Sequence, residues 1–440
     1  MMAIMVVLSI LAPGPEPFRA NCPDLDGPAV SPSHTIRLDT RYAGEWLVAG
    51  DLDGDGRAEF IAARNDNQAV TGAAAYRLDG TLLWTWGEEG KGKSGFSYDV
   101  PLMPYDLDGD GKDEVFLSVP GSLVVLDGET GKELRRHALP EGLAVDDCIS
   151  FADLSGVGRP TDIIAKTRYT KLWAFTADWR VLWSWAPPEG YLTCHHPTVL
   201  DIDGDGKDEV LAGYTMLDHD GTPLWTYETT ATDLRAGHLD ASDVVHLAPG
   251  EPEDTRIIVT CCGANLIALL DGSGKALWEI GGYHFESPDF GKLRDDVPGP
   301  QFVVDIDHVP YGQYRLWLIG PDGTQLGTFV TGYGRHHRLV DWNGDGLDEL
   351  LITNARAIYD GHGSCVARLV VPGDPRYDEF AGDRDFAQGD PGPFGFVGDV
   401  DGDGRPDVVL HTDTAIYVFT SPGARSSCPH IGTGLNWTLY

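Results

Sequence analysis

Residues 201–209 read Asp-Ile-Asp-Gly-Asp-Gly-Lys-Asp-Glu, flanked by the apolar runs TVL (198–200) and VLAGY (210–214). Aspartates at alternate positions, a glycine that allows a tight bend and a closing acid at the ninth position form the oxygen-donor set of a hard cation such as calcium. The flanking runs read as strands entering and leaving that turn. The pattern returns four more times. Its ligand positions are Asp51, Asp53, Asp55 and Glu59; Asp106, Asp108, Asp110 and Glu114; Asp201, Asp203, Asp205 and Glu209; Asp341, Asn343, Asp345 and Glu349; and Asp399, Asp401, Asp403 and Asp407. Three degenerate copies, anchored on Asp153, His246 and Lys292, keep the strand–turn–strand frame without the ligands.

Eight units spaced about fifty residues apart match the length of a four-stranded propeller blade. Each unit carries a second turn followed by a strand, as in DGTLLWTW (79–86), TADWRVLWSW (176–185), DGTPLWTY (220–227) and DGSGKALWEI (271–280). No helical period is sustained, and a β-helix would need a shorter rung. The predicted fold is all-β: an eight-bladed β-propeller with aspartate-rich calcium loops, filling residues 30–440 as one domain. The last unit is short of strands, so SHTIRLDT (33–40) is expected to pair into it and close the ring, removing two open sheet edges. Trp84, Trp183, Trp225 and Trp278 recur at one blade position and are expected to pack between blades.

The 68 acidic and 32 basic residues give a formal charge of −36, which repels nucleic acid and anionic membrane surfaces. Nineteen of those carboxylates sit at the loop ligand positions, where five divalent ions would offset part of the charge. The apolar run Ala3–Leu11 suits the core of a signal peptide (residues 1–20) and is too short to span a bilayer, so a secreted, periplasmic or extracellular monomer without a membrane span is expected. Seven cysteines lack metal-binding spacing, and Cys22 with Cys428 is the pair whose position near the termini suits a ring-locking disulfide.

Repetition marks the loops as architecture, so chemistry is sought elsewhere. The segments that precede the first strand of each unit converge on one mouth of the ring, where propellers bind ligands. They carry Tyr98 and Asp99, Asp146 and Asp147, His195 and His196, then Arg235, His238 and Asp240. Later units add His284, Glu286 and Asp289, and Arg335, His336, His337 and Arg338. Six of the fourteen histidines fall in these slots. Such a set suits either a general base with cations that neutralise a carboxylate, or an additional divalent metal held by histidines and acids. Both answer the need of removing the weakly acidic proton α to a uronate carboxylate. His195, His196, His238, Arg235, Arg335, His336, His337, Arg338 and Tyr98 are the candidate catalytic groups, and Asp99, Asp147, Asp240, His284 and Glu286 the candidate substrate contacts.

HHPTVLDIDGDGKDEVLAGYTMLDHDG (195–221), AGHLDASDVVHLAPGEPEDTRIIV (236–259) and PGPQFVVDIDHVPYGQYRLWLI (298–319), with the order of intact and degenerate loops, resemble the rhamnogalacturonan lyases over most of residues 45–410. That family's Gly-His-Gly-Asp stretch reads Gly237-His238-Leu239-Asp240 here. The resemblance implies a lyase that cleaves an acidic polysaccharide (rhamnogalacturonan, ulvan or a rhamnosyl-glucuronate end) by β-elimination. Two other readings share the loops. One is a non-catalytic FG-GAP or integrin-like propeller that binds a glycan or a protein. The other is a glycoside hydrolase, which needs an acid of raised pKa in the axial pocket.

Overall fold

The computed structural model describes residues 17–22, 26–95, 101–145, 148–306, 315–331, 337–371 and 394–423. Eight sheets stand around an axis; in each, antiparallel strands follow one another in chain order, and in three of them a strand from the N-terminal segment is added at the edge. Their first strands are Trp46–Gly50, Leu102–Tyr105, Ile149–Ala152, Thr198–Leu200, Leu239–His246, Phe285–Gly291, His337–Val340 and Phe394–Gly398, numbered here as blades one to eight. The predicted eight-bladed propeller is the observed fold. Loop anchors Asp51, Asp106, Asp153, Asp201, Lys292, Asp341 and Asp399 each follow directly on a first strand. The anchor placed at His246 is one residue early, because His246 is the last residue of its strand.

Apolar side chains alternate with the pleat and meet those of the neighbouring blade. One cluster joins Ile36 and Val418 of blade eight, Trp46 and Phe60 of blade one and Leu117 of blade two. Ring closure is as expected: His34–Arg37 pairs antiparallel with Ala415–Thr420, His34 opposite Val418. The chain before it forms two more strands, not foreseen from the sequence. Phe18–Asn21 runs parallel along Gln325–Val330 of blade six, and Ala29–Val30 along Cys365–Leu369 of blade seven. Folded structure therefore reaches back to residue 18, into the span assigned to a signal peptide and ahead of the boundary expected at residue 30.

The tryptophans pack between blades. Trp84, Trp183, Trp225 and Trp278 each donate Nε1–H to a backbone carbonyl in the next blade's outer turn: Gly128, His219, Gly272 and Pro321, at 2.7–3.0 Å. Of the neighbouring cysteines, Cys261 is a free, buried thiol and Cys262 is half-buried. Cys428 lies outside the described residues, as do Tyr98, Asp99, Asp146, Asp147, Arg335 and His336. No helix among the described residues is long and apolar enough to cross a membrane.

This topology separates two faces. Loops between first and second strands share one face with the outer turns. Segments that enter the first strands share the other with the hairpins joining second to third strands.

Candidate functional site

On the first face, each intact loop closes on its own carboxylates. Asp51 accepts the backbone N–H groups of Gly54, Asp55 and Gly56, and Glu59 accepts that of Leu52. Glu114, Glu209, Glu349 and Asp407 repeat the second bond to Leu107, Ile202, Trp342 and Val400. Burial, reinforced by the neighbouring aspartates, pushes all five closing acids up to about 7. Ligand oxygens of Asp51, Asp53 and Glu59 lie within 4.8 Å of one another, as do those of Asp106, Asp108 and Asp110. The buried atoms Asp53 Oδ1, Glu209 Oε1 and Asp407 Oδ1 have no hydrogen-bond partner among the described residues. Crowded, buried, partnerless carboxylate oxygens suit a divalent cation of the calcium kind.

The degenerate loops supply the contrast. In blade six the side-chain oxygen of Gln301 accepts from Leu293 and Arg294, while its amide donates to the Val297 and Gly299 carbonyls, so one neutral side chain satisfies the turn. Thr255 bonds Ala248 in blade five, and Asp162 accepts from Ser155 in blade three. The acid before the closing residue has a separate role. Asp113 Oδ2 accepts Asp51 N–H at 2.9 Å while Asp113 N–H donates to the Asp51 carbonyl at 2.8 Å, tying blade two to blade one. Asp208 ties to Asp153 and Asp348 to Lys292 in the same way.

The second face holds the cluster anticipated from the histidines. His195 enters blade four, His238 and Asp240 enter blade five, and His284 and Glu286 enter blade six. His238 Nε2 lies 3.0 Å from His195 Nε2 and 2.9 Å from Asp240 Oδ1. His284 Nε2 lies 2.7 Å from Glu286 Oε1. His195, Asp240 and Glu286 are almost completely buried. Burial first, then the neighbouring His195, pushes His238 down to about 3, so its imidazole is neutral near pH 7.

The hairpins between second and third strands add groups that the sequence reading passed over. Tyr169 of blade three places its phenol oxygen 3.1 Å from His195 Nε2 and stacks its ring on His238 at 4.0 Å. Arg168 donates to that oxygen at 2.8 Å and lies 4.8 Å from the ring centre, with fully buried Lys166 6.0 Å away. In blade five Cys262 and Asn265 flank His284, at 3.6 Å and 3.3 Å. Tyr169 and Asn265 both have left-handed backbones, φ +61° and +54°, a strained conformation for side chains other than glycine. Ligand atoms of Asp240, Cys262, His284 and Glu286 lie within 4.8 Å of one another, and so do those of His195, His238 and Asp240.

Other expected members make contacts of a different kind. Arg235 is more than half exposed and held by Asp233 at 2.8 Å. Half-buried His196 follows His195. His337 is buried at the start of blade seven, where its carbonyl accepts from Arg338. Arg338 sits in the field of Asp289, Asp243 and Asp305, which oppose the lowering of its pKa by burial.

No family model matches this chain. It is 30% identical over 409 residues to the rhamnogalacturonan exolyase YesX of Bacillus subtilis, an alignment that spans 74% of this chain and 63% of that one. It is 29% identical over 385 residues to the rhamnogalacturonan endolyase YesW of the same organism, spanning 71% and 58%. The chain thus spans less than two thirds of the length of either relative. The crystal structure of YesW matches with a TM-score of 0.64 at 23% identity, covering 89% of this chain and 76% of that one, which agrees with the propeller fold. The similarity to rhamnogalacturonan lyases read from the sequence is borne out.

Proposed function

We propose that this chain is an extracellular, calcium-braced polysaccharide lyase that cleaves a uronate-containing glycan by β-elimination at the Tyr169–His195–His238 cluster. The observation that carries this reading is the Tyr169 phenol oxygen, set between the Arg168 guanidinium at 2.8 Å and His195 at 3.1 Å. Sequence similarity to two rhamnogalacturonan lyases supports it.

Elimination needs a base for the proton α to the uronate carboxylate, positive charge to hold the developing dianion, and a proton for the leaving glycosidic oxygen. Tyr169 takes the α proton, a role favoured by the positive charge of Arg168 and Lys166 beside its phenol. The released electron pair forms the carbon–carbon double bond, the β C–O bond breaks, and the departing oxygen takes a proton from the Tyr169–His195 pair. Arg168 and Lys166 supply the positive charge in a buried setting where it is weakly screened. His238, neutral and bonded to Asp240, fixes the orientation of His195 and the phenol ring.

Calcium ions, held by the twenty loop residues named above, would cross-link the turns beneath the blades and supply rigidity. They lie on the opposite face, so no catalytic step passes through them. Rhamnogalacturonan is the first substrate to test, then ulvan and polymers ending in rhamnosyl-glucuronate. The assay follows the ultraviolet absorbance of the unsaturated uronate product with each polymer, in calcium. Glycan binding without that product would move the assignment to a binding module, and new reducing ends without unsaturation would move it to a hydrolase.

A further inference from the structure

We propose that the cavity between blades one and two on the axial face is a second glycan-binding site, which takes a neutral pyranose unit of the polymer away from the Tyr169–His195–His238 cluster. The inference rests on the glycan reading given above. The cavity measures about 600 Å³, inside the range of roughly 300–1,000 Å³ usual for small-molecule sites. Blade one lines it with Asp66, Gln68 and Trp86, and blade two with Arg136, Leu139 and the chain that runs on to Val145.

Strand pleating places the tryptophan. Trp84 and Trp86 stand two apart in Leu82–Gly87, so both point to the side that meets blade two. Trp84 is buried and donates its N–H to the Gly128 carbonyl. Trp86 lies about 7 Å further toward the axial face, is half-buried, and has an indole N–H without a partner among the described residues. At the same place in blade four Tyr227 is buried, and its hydroxyl donates to Glu279 at 2.6 Å. A partly open indole with an uncommitted donor offers an apolar surface to the C–H face of a sugar and a hydrogen bond to one of its hydroxyls.

The hairpin at the same end of blade one is strained. Asp66 pairs with Ala69, which leaves Asn67 and Gln68 as a two-residue turn at φ +48° and +66°. Turns of this kind favour glycine at the second place, so a glutamine there is kept against a steric cost. Among the described residues, five of the six non-glycine residues with left-handed backbones lie in the axial-face hairpins: Asn67, Gln68, Tyr169, Asn265 and Arg356. Two of them, Tyr169 and Asn265, already contact the axial histidines.

Charge decides which sugar fits. Arg136 is held by Glu133 at 2.9 and 2.7 Å, and Lys91 by Glu88 at 2.6 Å, so each cation in the lining is neutralised by its own acid. Asp66 adds a carboxylate with no partner among the described residues. Such a group repels a uronate and accepts hydrogen bonds from the hydroxyls of a neutral sugar.

The test uses the purified full chain in calcium, carrying Tyr169→Phe so that polymer is turned over too slowly to matter, and calorimetric titration with rhamnogalacturonan and with ulvan. Trp86→Ala should weaken polymer binding roughly tenfold, the loss of one stacked contact. Gln68→Gly, which suits φ +66° and leaves the turn intact, should also weaken it. Thermal melts confirm that both variants fold. Free rhamnose in excess should compete for the part of the binding that depends on Trp86, and free galacturonate should not. Polymer affinity unchanged in either variant would overturn the site, and competition by galacturonate, or by neither sugar, would overturn the neutral-sugar assignment. A chain that binds neither polymer would remove the glycan reading and this site together, whereas Trp86-dependent binding by a wild-type chain that makes no unsaturated product would strike the lyase reading and leave the site standing.

Discussion

The phenol oxygen of Tyr169 stands 3.1 Å from Nε2 of His195, and its ring stacks on His238 at 4.0 Å. Blades three, four and five thereby share one contact, reached by a strained turn at Tyr169 with φ +61°. Tyr169→Phe keeps the stack and removes the oxygen. It should cut elimination by roughly 10²–10⁴-fold, the span of general acid–base catalysis, while leaving the melting temperature within a degree or two. Wild-type turnover by Tyr169→Phe would rule out this proton-transfer assignment.

The closing acids of the five loops give the calcium prediction. Each is held near 7 by burial among other carboxylates, so chelation should leave that repulsion uncompensated. An ion present at a hundred times its dissociation constant stabilises the fold by about 2.7 kcal/mol per site. Chelator should lower the melting temperature in a calcium-reversible way, and Glu209→Gln should reduce bound calcium from five to four ions per chain. A melt indifferent to chelator, or an unchanged calcium content in Glu209→Gln, would remove calcium from the account.

The loop repeat made the architecture legible because one turn chemistry, copied at a blade's length, admits few folds. Ring closure by His34–Arg37 was legible for the same reason, since a blade short of strands needs an edge partner. Phe18–Asn21 was not, because a four-residue strand on an outer edge has no pattern that separates it from a leader. Half of the axial site was legible: His195, His238, Asp240, His284 and Glu286 sit at one repeat position. Tyr169, Arg168, Lys166 and Cys262 were missed because they come from the opposite end of the second strand. The topology returns that end to the same face, so TRYTK (167–171) and CCGAN (261–265) could have been included by following the chain through one more strand.

The inter-blade tryptophans invite a stability measurement. Trp225 donates to the Gly272 carbonyl at 3.0 Å, and Gly274 lies flat on its ring, where an added Cβ would meet Cε3 at 2.5 Å. Trp225→Phe loses the bond and part of the contact, and should cost about 1–3 kcal/mol. Gly274→Ala should cost at least about 1 kcal/mol, because the methyl strikes the indole and the residue has φ +81°. Urea denaturation would test both, and a neutral Gly274→Ala would show that the ring is free to move.

His411 sets a pH dependence of stability apart from the metal loops. It is fully buried on the second strand of blade eight, its ring 5.7 Å from that of Phe394. Burial pushes it down from 6.5 to about 3. Between those values the unfolded chain takes up a proton that the native chain refuses, so stability is present above pH 6.5 and falls as pH drops toward 3. The slope is roughly 1.4 kcal/mol per pH unit for one such group. The loop acids, raised to about 7, would oppose this in calcium-free buffer by losing stability as pH rises, so the measurement belongs in saturating calcium. Denaturation curves at pH 6.5, 5.5 and 4.5 should show a wild-type slope steeper than that of His411→Leu by about this amount. Parallel slopes would mean that His411 is protonated in the native state and held by a partner of opposite charge.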